Sequence, residues 1–312
     1  MALPEMFRGR LKLPVAGAPM FIVSQPELVM AQCRAGIVGS FPTLNARKLE
    51  DLESWIVQCT TASAEPGAAP FGANLIVHKS NPRLAEDTEM VIKHRVPFVI
   101  TSVGDPTEVA KRVHAYGGIV FHDVISLRHA RKAISCGVDG LILVCAGAGG
   151  HAGTLSPFAF VSEVRSIYDG AISLAGAIST GAHVRAAVAM GADMASMGTR
   201  FIATKEAHAA EGYKQMIVES SAADIIYTPY FSGVNGSFLK GSVEAAGLDP
   251  AQVLGKREGA SLALGPEESH GPKAWKDIWS AGQGSGAIHD VPPVAELVTR
   301  LRAEYDAAGK IG

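Results

Sequence analysis

Three successive strand-and-helix units occupy residues 140–201, which read GLILVCAGAGGHAGTLSPFAFVSEVRSIYDGAISLAGAISTGAHVRAAVAMGADMASMGTRF. Apolar runs open the units at 140–145, 171–177 and 194–201, and stretches of helical character separate them. Continuous apolar runs without polar alternation are typical of parallel strands that helices cover on one side. The stretch therefore predicts consecutive β/α units of one parallel sheet.

The same alternation extends toward the N-terminus. Five further candidate strands lie at 15–20, 36–41, 71–77, 98–103 and 118–124. Eight strands, each followed by a helix, favour a closed (β/α)8 TIM barrel of the α/β class. An open, doubly wound sheet is the alternative.

Proline and glycine mark the predicted ends of the helices. Proline suits the first helical position because it has no N–H to leave unpaired, and a polar residue before it can cap the helix. Such polar residues are Ser24, Asn81, Asp105 and Ser156. Glycine commonly follows the last helical residue, and here it does so at Gly36, Gly117, Gly137 and Gly191.

The regular alternation stops near residue 220. We predict a barrel at 1–220, a helical cap segment at 221–290 over the barrel mouth, and a C-terminal helix at 291–312 packed on the barrel. The cap segment would contain a loop at 264–273, rich in glycine, proline and glutamate. The last helix would dock through one apolar face, formed by Val294, Leu297, Val298, Leu301 and Tyr305.

The composition is that of a globular protein with little net charge. Hydrophobic residues make up 47% of the 312 residues, which is enough for a packed core. The net charge of −2, without a basic run, argues against nucleic acid or an anionic membrane as partner. The apolar runs are too short to cross a bilayer and the N-terminal residues lack a signal-peptide pattern, so we expect a cytoplasmic protein. The four cysteines form no CxxC pair, so we expect no metal site.

Two glycine-containing strand ends predict a phosphate-binding site. In barrels of this class, ligands bind at the carboxyl ends of the strands, and phosphates bind after strands seven and eight. Strand seven ends in Ala175-Gly176-Ala177, and strand eight contains Met197-Gly198-Thr199. Glycine lets backbone N–H groups approach an anion, and the following helix N-terminus favours negative charge. The alternative is that these glycines only form turns.

Three further polar side chains are candidates for the barrel mouth. His151 follows strand six within a glycine-rich loop, where it is a candidate catalytic base or hydrogen-bond donor; the alternative is a structural or solvated histidine. His122 near the end of strand five is either a packed barrel residue or a cofactor contact. Asn74 lies inside an apolar strand, where it either ties barrel layers together or binds the edge of a ligand ring. The loop at 145–153 does not match the dinucleotide fingerprint G-x-G-x-x-G, and no G-x-S-x-G, P-loop or H-E-x-x-H motif occurs.

Five segments together resemble a known family: PVAGAPM at 14–20, FGANL at 71–75, AGGHAG at 148–153, GAD at 191–193 with MGTRF at 197–201, and WSAGQ at 279–283. They occur in the order found in the nitronate monooxygenases, formerly called 2-nitropropane dioxygenases. The likeness runs from about residue 10 to residue 300. Its specific elements are Gly-Gly-His-x-Gly and Met-Gly-Thr-Arg-Phe.

The resemblance implies a TIM barrel that binds FMN without a covalent bond. It places the phosphate at Gly176, Ala177, Gly198 and Thr199, and the flavin ring near Ala18, Met20 and Asn74. It also makes His151 the catalytic histidine, close to flavin N5. The other cofactor-binding residues that we predict are Pro19, His122, Gly150, Ala175, Met197, Trp279, Ser280 and Gln283.

The resemblance further implies oxidation of an alkyl nitronate, such as propionate 3-nitronate, by the flavin and O2. The products would be a carbonyl compound and nitrite. The same superfamily includes FMN-dependent enoyl-acyl-carrier-protein reductases and NAD(P)H:quinone reductases, so NAD(P)H-dependent reduction of a quinone or enoyl thioester is the alternative. A barrel that binds a phosphate ligand without redox activity is the alternative outside these enzymes. The sequence leaves a homodimer open.

Three features depart from the family pattern. Residues 175–177 read Ala-Gly-Ala where members often have Gly-Gly, and Asp123 follows His122 where a related type carries lysine. Residues 233–240 align only loosely, so the contacts with substrate in this region are not predicted.

Overall fold

A parallel eight-stranded barrel forms the body of the protein in the computed structural model, which describes residues 2–255 and 272–310. The barrel strands are β1 (Val15–Gly17), β2 (Gly39–Pro42), β3 (Phe71–Ile76), β4 (Phe98–Ser102), β5 (Ile119–Val124), β6 (Gly140–Val144), β8 (Ala171–Ala175) and β9 (Met194–Met197), while the short strand β7 (Gly150–His151) lies outside the barrel. Their order around the sheet is β1, β9, β8, β6, β5, β4, β3, β2. A parallel bridge between Ala16 and Val38 joins the two ends of the sheet. The prediction of a TIM barrel is confirmed.

Helices follow the strands, as the alternation predicted. They are α1 (Pro26–Ala35), α2 (Leu49–Ser63), α3 (Leu84–Lys93), α4 (Thr107–His114), α5 (Leu127–Ser135), α6 (Pro157–Arg165), α7 (Gly181–Ala189), α8 (Thr199–Ile202), α9 (Glu211–Glu219), α10 (Lys240–Ala245) and α11 (Val294–Ala308). The predicted strand at 194–201 is too long, because the chain becomes helical at Thr199. Phe201 and Ile202 are buried in that helix, and hydrophobicity alone does not distinguish a buried helical turn from a strand.

The glycines predicted the ends of the helices more accurately than the prolines predicted their starts. Among the α-helices of residues 2–255 and 272–310, side-chain caps come from Ser126 and Thr180, which accept the backbone N–H groups of the residues three positions later. Helices α3 and α4 begin later than predicted, since Asn81 and Asp105 accept amides two positions on and form turns before the helix. The predicted C-terminal glycines all have positive φ, at Gly36, Gly117, Gly137 and Gly191.

The N-terminal segment closes the end of the barrel opposite the strand carboxyl ends. Phe7 is fully buried, and its ring packs edge-on against Phe98 and Phe121 with centroid distances of 5.3 and 6.4 Å. Phe98 is the first residue of β4, so this aromatic cluster fills the amino-terminal end of the barrel. The other end remains open to a ligand.

A small antiparallel sheet occupies part of the predicted helical cap segment, which corrects that prediction. Strand β10 (Ile225–Thr228) pairs with β11 (Gly236–Leu239), and β11 pairs with β7 so that Gly236 lies opposite His151. The β-branched and aromatic residues of Ile-Ile-Tyr-Thr at 225–228 favour a strand. Residues 264–271 of the predicted loop lie outside the described residues, and the division at residues 220 and 290 stays a prediction.

The C-terminal helix docks on the barrel as predicted. Helix α11 packs against α7 and α1, and Val294, Leu297, Val298 and Leu301 are buried. A Cβ at Gly181 would lie 1.9 Å from the Leu301 carbonyl oxygen, so glycine is required at the start of α7. Within residues 2–255 and 272–310, no helix has the length and apolar character needed to span a membrane.

Candidate functional site

A cavity of about 1420 Å³ lies at the carboxyl ends of the barrel strands. Barrel loops form one part of its wall, and Tyr227, Phe231 and Ser232 of the β10–β11 hairpin form another, together with Trp275. Most of the predicted site residues line this cavity: Ala18, Pro19, Met20, Asn74, His122, Gly150, His151, Ala175, Gly176, Ala177, Gly198, Thr199 and Ser280. The fold therefore brings these distant segments to one place.

Three predicted residues are not part of the cavity wall. Met197 is fully buried at the end of β9. Trp279 stacks on Tyr213 with a centroid distance of 5.1 Å. The backbone N–H of Gln283 donates to the Gly147 carbonyl at 2.9 Å, which connects the C-terminal segment to the loop after β6.

The ends of β8 and β9 form one side of the cavity together with the segment at 279–284. Gly176 and Ala177 follow β8 with φ values of +139° and +52°. Gly198 follows β9, and the hydroxyl oxygen of the next residue, Thr199, accepts the amide of Gly282 at 2.9 Å. A hydrogen bond from the segment at 279–284 thus connects this part of the chain to the end of β9.

His151 lies on β7, which the hairpin holds against the barrel mouth. Its Nε2 is 3.0 Å from the Ser232 hydroxyl oxygen. Its ring packs nearly perpendicular to the indole of Trp275, with a centroid distance of 5.0 Å. Burial lowers the pKa of His151 from its ordinary 6.5 to about 4. The imidazole is therefore neutral near pH 7 and able to accept a proton.

A second polar group in the cavity is a chain of three side chains. Asn74 Nδ2 donates to Ser102 Oγ at 2.8 Å, and that hydroxyl donates to Asp123 Oδ2 at 2.5 Å. Burial raises the pKa of Asp123 from 3.8 to about 6, although the bond from Ser102 opposes the change. Asp123 is the one acidic side chain that the described residues contribute to the cavity wall.

His122 is both a packed barrel residue and part of the cavity wall. Its Nδ1 lies 2.9 Å from the Thr101 hydroxyl oxygen, which itself donates to the Phe121 carbonyl. Burial, with a smaller contribution from His129, lowers the pKa of His122 to about 4. The two readings that the sequence left open for this residue are thus compatible.

Backbone strain is concentrated around the cavity. In the described part of the chain, five residues other than glycine have positive φ, and four of them line the cavity: Ile22, Val103, Ala177 and Trp275. Such conformations cost roughly 1–3 kcal/mol each and cluster at ligand-binding sites. Their position supports a ligand site at this end of the barrel.

Comparison with known proteins identifies the family. The family model described as nitronate monooxygenase matches residues 84–304, which is 221 of 312 residues. The chain belongs to this family. A nitronate monooxygenase of Paraburkholderia phytofirmans is 27% identical to it, with 93% of this chain and 92% of that protein covered.

Solved structures agree on the fold of this nitronate monooxygenase family member. FabK from Thermotoga maritima is 26% identical with a TM-score of 0.78, covering 96% of this chain and 94% of that one. A nitroalkane oxidase from Streptomyces ansochromogenes has a TM-score of 0.82 at 23% identity, covering 98% and 99% of the two chains, and shows the fold alone. Family membership makes the protein a flavin-dependent oxidoreductase.

The strand ends of this family member suit a phosphate-bearing flavin. The Ser179 hydroxyl oxygen is buried beside Ala177 and has no hydrogen-bond partner within residues 2–255 and 272–310. Buried polar atoms are normally paired, so this hydroxyl is a candidate for a bond to a bound group. A Cβ at Gly198 would lie 3.6 Å from Ala18 and from Met20, without a clash. The residues present therefore fit the cofactor that the family implies.

Sequence reasoning missed Ser232 and Trp275, which both contact the imidazole of His151. The cluster of aromatic residues in the second half of the chain was an available signal. Phe238 and Trp275 pack together with ring centroids 6.0 Å apart, and such a cluster indicates a packed cap. Nothing local in the sequence indicates that it faces His151.

Proposed function

We propose that the protein is an FMN-dependent nitronate monooxygenase that oxidises alkyl nitronates with O2 to a carbonyl compound and nitrite. The observation that carries the proposal is the placement of His151, a half-buried imidazole whose pKa is lowered to about 4 by burial, in the same cavity as two glycine-containing strand ends. When bound, the flavin supplies the redox chemistry with O2. The protein supplies binding, orientation and proton transfer.

The cofactor would be held by the strand ends and by the first barrel loop. Gly176, Ala177, Gly198 and Thr199 would hold the phosphate. Residues 18–20 and Asn74 would contact the ring system. This assignment is supported by the positive φ of Gly176 and by the unpartnered hydroxyl of Ser179.

His151 would act as a general base toward neutral nitroalkanes. A neutral imidazole can accept the proton from the carbon next to the nitro group, and the electron pair of the broken C–H bond remains on the substrate as the nitronate. A substrate supplied as the nitronate needs no such step. The apolar side chains of Met20, Phe21 and Ile22 in the cavity wall would exclude water from the reacting carbon.

The test compares two substrates in one variant. In His151→Gln, we expect the rate with a neutral nitroalkane to fall by roughly 10²- to 10⁴-fold, the usual contribution of general acid–base catalysis. The rate with the preformed nitronate should fall much less. His129→Gln is the matched control, because this histidine also lines the cavity but is exposed. Equal losses with both substrates would contradict the role as a base.

The size of the cavity is also compatible with a second function, the reduction of a quinone or enoyl thioester by NAD(P)H. A volume of about 1420 Å³ exceeds the roughly 300–1,000 Å³ usual for small-molecule sites, so a second large ligand could enter beside the flavin. Reduction of a quinone or enoyl thioester by NAD(P)H would use such space. Anaerobic mixing of the FMN-loaded protein with NADH, NADPH or propionate 3-nitronate separates the two functions. If NADH or NADPH bleaches the flavin, propionate 3-nitronate does not, and no nitrite forms in air, the reductase function would replace the proposed monooxygenase function.

A further inference from the structure

The β10–β11 hairpin holds His151 through both backbone and side chain. Gly236 pairs with His151 and Ser237 with Gly150 in the antiparallel ladder. The Tyr227 hydroxyl donates to the carbonyl of Ala152, the residue that follows His151, at 2.6 Å. These bonds fix the backbone of His151 relative to the hairpin. The imidazole is therefore held close to the side chains of the hairpin.

The Ser232 hydroxyl contacts two groups that compete for its single proton. Its oxygen lies 2.9 Å from the Val234 carbonyl oxygen and 3.0 Å from His151 Nε2. A carbonyl oxygen can only accept, so the hydroxyl donates its proton to Val234. The same hydroxyl can then only accept a hydrogen bond from Nε2, which must carry the proton.

Burial gives this arrangement its importance. Ser232 is only 6% exposed, so water has little access to its hydroxyl. A neutral imidazole has one protonated and one unprotonated nitrogen, and the partner of one nitrogen decides the state of the other. With the proton on Nε2, the free electron pair is on Nδ1.

We propose that Ser232 is a positioning residue that holds His151 as the Nε2–H tautomer and leaves Nδ1 as the atom that accepts the substrate proton. This inference rests on the proposed role of His151 as a base. During proton transfer the substrate C–H bond breaks, its electron pair stays on carbon, and the proton moves to Nδ1. The Nε2–H group remains bonded to Ser232, which stabilises the imidazolium that forms.

The decisive measurement is ¹⁵N NMR of the FMN-loaded protein labelled at histidine. The signals of His151, one of ten histidines, are identified by their loss in His151→Gln. We expect a protonated Nε2 and an unprotonated Nδ1 between pH 6 and 8 in the unmodified protein. A protonated Nδ1 would overturn the proposal, whatever substrate the enzyme uses.

Variants test whether Ser232 is responsible. In Ser232→Ala, we expect exchange-averaged signals for the two ring nitrogens and a loss of about 2- to 10-fold in kcat/KM for a neutral nitroalkane, the value of one neutral hydrogen bond. Ser232→Thr keeps the hydroxyl and should restore both. Thr228→Val is the matched control, because it removes a buried hydroxyl of the same hairpin that donates to Val253. Unchanged His151 signals in Ser232→Ala, or equal changes in Thr228→Val, would refute the assignment.

The two proposals fail separately. If His151→Gln keeps full activity with neutral nitroalkanes, the role as a base is wrong, but the tautomer is still read from the spectrum. If the spectrum shows the Nδ1–H tautomer while His151→Gln loses activity, the role of His151 as a base still stands and the inference about Ser232 is wrong.

Discussion

Removing the indole of Trp275 should raise the pKa of His151. The indole packs against the imidazole with the two rings nearly perpendicular, and burial is the cause of the low pKa of about 4. At pH 7 that pKa leaves about one imidazole in a thousand protonated, whereas a full return to the ordinary value would leave about one in four. Because the hairpin still covers the ring, we expect Trp275→Ala to bring the pKa to between about 5 and 6. The base would then be lost below that pH.

The assay is the pH dependence of kcat/KM with a neutral nitroalkane, together with an NMR titration of His151. The acid limb of the profile should move to higher pH in Trp275→Ala. Trp279→Ala is the control, since this tryptophan stacks on Tyr213 rather than on the histidine. An acid limb that stays in place in Trp275→Ala, or moves equally in Trp279→Ala, would show that the indole does not determine the protonation of His151.

Three further predictions concern the cofactor, the carboxyl and pH. Gly198→Asp should release FMN because it places a carboxylate at the phosphate end. Gly198→Ala should weaken FMN binding far less, because it adds no charge and its Cβ would lie 3.6 Å from the nearest atoms of Ala18 and Met20. Flavin fluorescence in the filtrate after ultrafiltration measures both. Asp123→Asn should remove any inflection near pH 6 from the flavin absorbance titration, because the pKa of this carboxyl is raised to about 6; an unchanged inflection would assign it to another group. Lowering the pH from 7 to 5 should destabilise the fold, because His122 and His151 stay neutral when folded, with pKa values of about 4, but take up protons when unfolded. Each histidine contributes about 2 kcal/mol of this loss, and Asp123, whose folded pKa is raised, offsets about 1 kcal/mol. Urea unfolding at both pH values measures the change in unfolding free energy. His122→Asn should make this change smaller.

The barrel was predictable because its signals are local and repeated. Each strand is a short apolar run, and the four glycines predicted to end helices, Gly36, Gly117, Gly137 and Gly191, all have positive φ. The placement of ligand-binding residues then followed from the architecture, because parallel strands bring their carboxyl ends together. His151 was found in this way, from its position after strand six.

The three-stranded sheet was not predictable because β7, which pairs with the hairpin, is distant from it in sequence. Residues 225–228 become a strand by pairing with 236–239, which in turn pair with Gly150 and His151. Short segments of mixed polarity carry no periodicity that would show this. For the same reason Trp275 could not be placed against His151, and Trp279, which carried the family resemblance, was expected at the cofactor but lies against Tyr213.

The pairing of His151 with Gly236 also has a consequence for the order of assembly during synthesis. The last barrel strand ends at Met197, so the whole barrel sheet can leave the ribosome before the partner of His151 has been made. Residues 151 and 236 are 85 positions apart, and closing such a loop costs conformational entropy before its contacts form. Ser280, which accepts the amide of Gly150 at 2.7 Å, arrives later still. The order of the strands along the chain therefore allows the parallel sheet to form before His151 has its hairpin partner, so a chain truncated before residue 236 would lack the contacts that fix His151 in place.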